Sequence, residues 1–288
     1  MTTEITTEMT AEMQTKLKLG SIAFIGAGNM ASALIKGIQQ QYATIVHVVD
    51  VNETVLRAWE QDYAATSASE IGAQLSDMDV IVLAVKPQQL KQVAQQLAPF
   101  LNQQLILSVA AGIRTQDLSR WLGGYQHIVR AMPNTPAMIS LGMTGLYAMD
   151  AVTTEQRQLA QTMMAAVGAT LWVEQEVQID AVTAMSGSGP AYVFYFLEAM
   201  QTAGVQLGFN EEQAKQLALA TFNGATQLAQ RSPEALHELR ARVTSKGGTT
   251  YAALSSMEQS DVKAAIGQAI AAANTRAKEL GDEFGNEA

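Results

Sequence analysis

Two stretches of the chain gather backbone N–H groups where an anion can bind. Gly26-Ala27-Gly28-Asn29-Met30-Ala31 has the form G-x-G-x-x-A, between the apolar run Ser21–Ile25 and a segment with helical periodicity. That context gives the pattern its meaning. Gly26 permits a tight turn, and Gly28 lets the backbone approach a pyrophosphate. Asn29 and Met30 open the helix, and Ala31 allows it to pack closely on the strand. Unpaired N–H groups and the positive dipole end then face phosphates. An ordinary strand-to-helix turn is the plain alternative. Asp50 lies 22 residues after Gly28, at the end of the next strand-like run. A carboxylate there accepts ribose hydroxyls and repels a 2′-phosphate, which favours NADH over NADPH. Capping the following helix is its other use.

The second stretch is Val243-Thr244-Ser245-Lys246-Gly247-Gly248-Thr249-Thr250, ahead of a helical segment from Tyr251. Backbone N–H groups of two glycines and two threonines at a helix start make an anion site. The hydroxyls of Ser245, Thr249 and Thr250 add neutral donors. The set suits a carboxylate; a helix start without a ligand is the alternative.

Further loops are expected at the carboxyl ends of strands, where ligands of such folds bind. Ala84-Val85-Lys86-Pro87 ends one strand, and Ser108-Val109-Ala110-Ala111-Gly112 ends the next. Their small residues leave room for a ribose or nicotinamide. Arg130-Ala131-Met132-Pro133-Asn134-Thr135-Pro136 is stiffened by two prolines. Ser186-Gly187-Ser188-Gly189-Pro190-Ala191-Tyr192 leads small residues into a proline-started helix. A hydroxy-acid oxidation would need a base for the hydroxyl proton. His47, His127 and His237 fall inside or at the edge of regular segments, poorly placed for that task. An iminium substrate needs less acid–base help, and its reduction depends mostly on positioning.

These groups need elements to carry them. Strand-like runs at Ser21–Ile25, Ile45–Asp50, Asp79–Val85, Leu105–Val109 and His127–Met132 alternate with helical segments. Near-continuous apolar strands between helices indicate a mostly parallel, doubly wound α/β sheet. Thr170–Val173 reads as a last edge strand. From Val177 onward nearly everything is helical, including Pro233–Val243. The expected division is a flexible tail over 1–19, a dinucleotide-binding domain over 20–174 and a helical domain over 175–288.

Composition agrees. The 288 residues carry 18 Lys and Arg against 27 Asp and Glu, a net charge of −9. That argues against a nucleic-acid partner. With no cysteine, disulfides, thiolate zinc sites, iron–sulfur clusters and a cysteine nucleophile are excluded, and no metal site is expected. Glu198, Gln201 and Gln206 interrupt the most apolar long stretch, so no membrane span is expected. The first 20 residues lack a signal-peptide pattern, and the expected compartment is the cytoplasm.

Five motifs in order, Phe24–Ala31, Ala84–Pro87, Arg130–Pro136, Ser186–Tyr192 and Val243–Thr250, make the chain resemble the pyrroline-5-carboxylate reductases. The resemblance covers about 21–280. It implies a Rossmann domain, a helical domain that interlocks two subunits, and dimers that often assemble into decamers. It implies reduction of L-1-pyrroline-5-carboxylate to L-proline by NADPH or NADH, at a site formed between domains of the dimer. By motif matching, Ser245, Gly248, Thr249 and Thr250 hold the substrate carboxylate, with the Thr250 hydroxyl near the ring nitrogen as the catalytic contact. Ala110, Ala111, Pro133 and Asn134 border the nicotinamide. Relatives that use NADPH often carry Ser, Thr, Asn or Arg where this chain has Asp50-Val51-Asn52. An acidic residue near Pro233–Val243 can lie by the substrate in relatives, but neither Glu234 nor Glu238 is assigned that role. A β-hydroxyacid dehydrogenase would need a catalytic lysine early in the second domain. Lys215 is the single lysine between Val177 and Val243, and no motif of that family surrounds it. A non-catalytic nicotinamide-binding protein is a third reading, against which the 245–250 loop argues.

Overall fold

The computed structural model describes residues 17–286. The tail expected over 1–16 lies outside them. Chain contacts form two compact units. One closes at Gly187 and takes back the chain from Ala273; the other spans Ser188–Ala272.

The first unit is an eight-stranded sheet of order β3-β2-β1-β4-β5-β6-β7-β8. Its elements are β1 (Leu17–Ile25), α1 (Asn29–Gln41), β2 (Tyr42–Val49), α2 (Glu53–Tyr63), β3 (Thr66–Ala68), β4 (Val80–Leu83) and α3 (Pro87–Leu97). They continue as β5 (Leu105–Ser108), α4 (Thr115–Trp121), β6 (Ile128–Met132), β7 (Gly142–Ala148), α5 (Thr154–Ala165), β8 (Gly168–Trp172) and α6 (Val177–Val182). The strands β1 to β6 are parallel to their neighbours, β7 pairs antiparallel with β6, and β8 runs parallel to β7. The sheet is thus mostly parallel, as the apolar strands indicate.

Alternation along each strand sends side chains to opposite faces. Ile22, Phe24, Val80 and Val82 pack with Leu34, Ile35 and Ile38 of α1, Trp59 of α2 and Met163 and Met164 of α5. Ala23, Ile25, Ile81 and Leu83 pack with Leu90, Ala94 and Leu97 of α3 and Leu118 and Trp121 of α4. A sheet buried on both faces needs apolar residues at consecutive strand positions, and Val80–Leu83 is fully buried throughout.

The second unit consists of α7 (Gly189–Gln206), α8 (Glu211–Arg231), α9 (Leu236–Arg242), α10 (Thr249–Gln259) and the first part of α11 (Val262–Asn286). Asn210 caps α8 through a reciprocal pair with Gln213. α7 buries none of its residues within the chain.

The observed bounds differ from the expected ones in four places. β1 begins at Leu17, because Leu17 and Lys18 pair with Tyr42 and Ala43, so the tail does not reach 19. α6 and the chain from Ala273 pack with the sheet unit, which moves the boundary past 174 and returns the last helical turns to the first unit. β3 and β7 form where no strand is read from the sequence. Finally, α9 starts at Leu236 rather than Pro233, since Ser232 and Ala235 are extended.

Candidate active site

The strands β1, β2, β4, β5 and β6 end at one edge of the sheet, and their following loops carry the expected cofactor residues. Gly26 has φ +93° and donates its N–H to Val49 O at 2.9 Å. A Cβ on Gly26 would stand 2.8 Å from the Ala84 carbonyl. Glycine is therefore required here by the left-handed backbone and by the close crossing of the two loops. Gly28 differs. It is the N-cap of α1 with φ −77°, an ordinary conformation, and a Cβ there would meet nothing within 4 Å. No side chain caps this helix, and its first turn holds no acid. Gly28, Asn29 and Met30 thus present an open cradle with orphan N–H groups, which fits a pyrophosphate.

Asp50 extends the cradle. Its Oδ2 accepts the Ala27 N–H and its Oδ1 the Asn52 N–H, each at 2.9 Å. A carboxylate has about four acceptor sites, so two remain for ribose hydroxyls. Helix capping falls to Asn52, whose Oδ1 accepts from Thr54 and Val55. Beside Asp50 opens a cavity of about 640 Å³, walled also by Gly26, Glu70, Ile71, Val85 and Phe100. Its lining includes the carboxylates Asp50 and Glu70 and no Lys or Arg. Arg57 is held by Glu53 at 3.1 Å on the outer surface of α2.

Ala84 and Val85 close β4 against the glycine turn, with Ala84 N–H donating to Ile25 O at 2.9 Å. Lys86 is exposed, and Pro87 starts α3. After β5 the Ala110 methyl is 5% exposed and packed in the core. At that position the backbone remains at the edge, and the half-buried Ala111 supplies the space. Gly112, at φ +76°, accommodates Phe284 of α11. Pro133 is buried. Asn134 spends its side chain on the fold: Nδ2 donates to Ser186 O and Oγ at 3.1 Å, and Oδ1 accepts the Met143 N–H at 2.9 Å. The Arg130–Pro136 loop is thereby fastened to the start of the Ser186–Tyr192 motif.

Sequence reasoning missed a buried ionic network beneath these loops. Arg130, 2% exposed, donates Nη1 to Glu176 Oε1 and Nη2 to Asp180 Oδ1, each at 3.2 Å. Glu176 also accepts the Thr115 N–H and hydroxyl, both at 2.7 Å. The partners lie 46 and 50 residues from Arg130, with no local spacing to announce them. The adjacent Tyr147 phenol is held above its usual range, first by burial and then by the charges of Glu176 and Asp150.

In the second unit, Ser245, Gly248, Thr249 and Thr250 do converge on one helix start. Gly247 turns the chain at φ +74°, and Gly248 N–H donates to Ser245 O at 3.0 Å. Gly248 is the N-cap of α10, without a side-chain cap and without an acid in the first turn. Thr249 and Thr250 thus open a helix whose leading N–H groups are free to take an anion. The nearby acids have other partners. Glu234 accepts both bonds from Arg242 Nη1 at 2.8 and 2.9 Å. Glu238 accepts the Ala235 N–H at the start of its own helix at 2.9 Å.

Two of the three histidines take structural positions: His47 Nδ1 bonds Thr66 Oγ1 at 2.8 Å and His127 Nδ1 bonds Gln156 Oε1 at 3.0 Å, while His237 is exposed on α9. Among the described residues, no three His, Asp or Glu side chains are grouped to hold a metal. No described helix is long and apolar enough to cross a membrane.

Comparison with known proteins agrees with this geometry. Residues 176–280 match the family model for pyrroline-5-carboxylate reductase dimerisation, and residues 21–112 match that for coenzyme F420-dependent NADP oxidoreductases. The chain is 45% identical to pyrroline-5-carboxylate reductase from Pseudomonas aeruginosa, over 92% of this chain and 98% of that one. It is 41% identical to the Haemophilus influenzae enzyme, over 93% and 98%. Among solved structures, a pyrroline-5-carboxylate reductase from Coxiella burnetii superposes with TM-score 0.86 at 38% identity, covering 91% of this chain and 99% of that one. The Plasmodium falciparum enzyme, solved with NADP bound, gives 0.81 at 27% identity, covering 92% and 99%. With its glycine cradle, its uncapped helix start at Gly248 and relatives of this identity over nearly the whole chain, the protein belongs to the pyrroline-5-carboxylate reductase family.

Proposed function

We propose that the protein reduces L-1-pyrroline-5-carboxylate to L-proline, the last step of proline biosynthesis. The observation that carries this reading is the uncapped start of α10, where Gly248, Thr249 and Thr250 follow Ser245 with no acid in the first turn. A substrate carboxylate takes the N–H groups of Thr249 and Thr250, which follow the Gly248 N–H already given to Ser245 O, each charge-assisted bond contributing about 1.5–3 kcal/mol at most. Held this way, the ring has one defined carbon available for reduction. The Thr250 hydroxyl serves the ring nitrogen, whose proton stays there when the C=N bond becomes C–N. A reduced nicotinamide, when bound, supplies the hydride. The chain's part is to fix the reacting atoms in line, which accounts for much of the rate in such transfers.

The cradle of Gly28, Asn29 and Met30 fits the pyrophosphate of either nicotinamide cofactor. For the choice between them we favour NADH. Asp50 and Glu70 both line the adjoining cavity, whose lining among the described residues has no Lys or Arg. A 2′-phosphate there would meet two carboxylates without a cation. The NADP in the Plasmodium falciparum relative is the reason to measure both.

A homodimer is the proposed working form. Phe194, Tyr195, Leu207 and Leu228 of the second unit are 65%, 72%, 81% and 58% exposed within one chain, and the matched family model concerns dimerisation. Large apolar side chains left this exposed on one helical unit favour an interface there. Light scattering distinguishes such a dimer from a decamer of five dimers. The proposed setting is the cytoplasm. The activity test is purified protein with the imine substrate, following NADH and NADPH absorbance separately and assaying proline. Consumption of neither cofactor, or consumption without proline, contradicts the assignment.

A further inference from the structure

We propose that the buried network Arg130–Glu176–Asp180, with Thr115, positions the loops that border the nicotinamide; this rests on the reductase reading above. Glu176 is its hub. Its two carboxylate oxygens hold the N–H and hydroxyl of Thr115, the first residue of α4, at 2.7 Å each, and Oε1 also holds Arg130. Thr115 fixes the far end of the Val109–Arg114 loop, whose near end is Ser108 of β5. Arg130 fixes β6 three residues before Pro133. Asp180, bonded to Arg130 Nη2, lies on α6, which runs directly into the π-helical turn Thr183–Gly187. There Ser186 takes the Asn134 side chain. One connected set of bonds thus sets three segments at once: 109–114, 133–134 and 183–187.

Packing needs do not account for this arrangement. The network holds one positive and two negative side chains at 3%, 18% and 4% exposure. An apolar set of the same shape is as stable or more so in many proteins, so a buried ionic cluster is weak evidence for a stability role. Directional bonds, by contrast, fix backbone segments relative to one another, as a pre-organised site requires. Arg130, Glu176, Asp180 and Thr115 act through the loops and touch no reacting atom, so they are positioning residues.

The test uses the full-length protein and the variants Glu176→Gln, Asp180→Asn and Thr115→Val, assayed well below each melting temperature. Positioning predicts that kcat falls at least tenfold for Glu176→Gln while the imine KM changes less than twofold. A deuterated nicotinamide should then show a larger isotope effect. Thr115→Val removes the hydroxyl bond to Glu176 and should lower kcat in the wild type, and its effect beside Glu176→Gln should be less than additive, since both act on one contact. Amide hydrogen exchange should quicken in 109–114, 133–143 and 183–187 together, with β4 unchanged. Lower melting temperatures with unchanged kcat, or exchange that rises uniformly or in one loop alone, would overturn the proposal. A wild type inactive on the imine would refute the reductase reading, and the exchange pattern would still decide whether the network sets the loops jointly.

Discussion

Asp50 Oδ2 accepts the Ala27 N–H at 2.9 Å, so the carboxylate ending β2 is tied to the glycine turn that follows β1. The group proposed to select the ribose thus also braces the glycine loop. Asp50→Asn largely separates the two duties, because an amide oxygen can keep the Ala27 bond, at the loss of the Asn52 one, while the charge is removed. We expect the NADH-to-NADPH ratio of kcat/KM to fall by roughly tenfold or more, equivalent to about 1.4 kcal/mol. Steady-state kinetics with both cofactors measures it, and an unchanged ratio would remove the selectivity role.

The two glycines of the turn should respond oppositely. Gly26→Ala forces a Cβ to 2.8 Å from the Ala84 carbonyl at φ +93°, a backbone strain of order 1–3 kcal/mol before the clash is counted. Gly28→Ala meets nothing and should cost no more than about 1 kcal/mol at an N-cap. Its effect should fall on cofactor affinity instead. Thermal unfolding and nicotinamide fluorescence titration of both variants test the contrast.

Thr250→Ala should leave the melting temperature within a few degrees, since the hydroxyl is not a cap for α10. Loss of one hydrogen bond made to the reacting group should lower kcat/KM on the order of tenfold to a hundredfold. Ordinary turnover by this variant would take the ring-nitrogen contact away from Thr250.

His47 is 5% exposed, and burial lowers its pKa below 6.5. The unfolded chain then binds more protons than the folded one as pH falls through that range. Stability present above pH 6.5 is therefore lost as pH drops toward the folded pKa. Melting temperatures between pH 5 and 8 should decline on the acid side in wild type, and less steeply in His47→Asn. Parallel profiles would show that other groups govern the acid limb.

Arg130→Met leaves Glu176 and Asp180 without their buried cation. Breaking such a cluster on one side costs about 3–5 kcal/mol, so chemical denaturation should show a large loss. By contrast, Ser108→Ala removes a buried hydroxyl that has no hydrogen-bond partner among the described residues and should be close to neutral.

Much of the first unit was legible because its signals are local. A fully buried strand such as Val80–Leu83 is an unbroken apolar run, and both anion-binding helix starts are written in consecutive residues. β7 was not legible: Gly142-Met143-Thr144-Gly145 reads as a loop, and it is a strand because β6 and β8 flank it. Thr66–Ala68 is too short to show a period. α6 groups by chain contacts with the sheet unit, to which Asp180 ties it through the distant Arg130, a link with no local signal. Gly28 and Gly248 each stand at a helix start, as the consecutive residues around them indicate. What supports the nicotinamide side is held by partners 46 and 50 residues apart, which no spacing rule connects.

Purified protein should convert L-1-pyrroline-5-carboxylate to proline with stoichiometric oxidation of the nicotinamide, faster with NADH than with NADPH at equal concentration. Absence of proline with both cofactors would contradict the account.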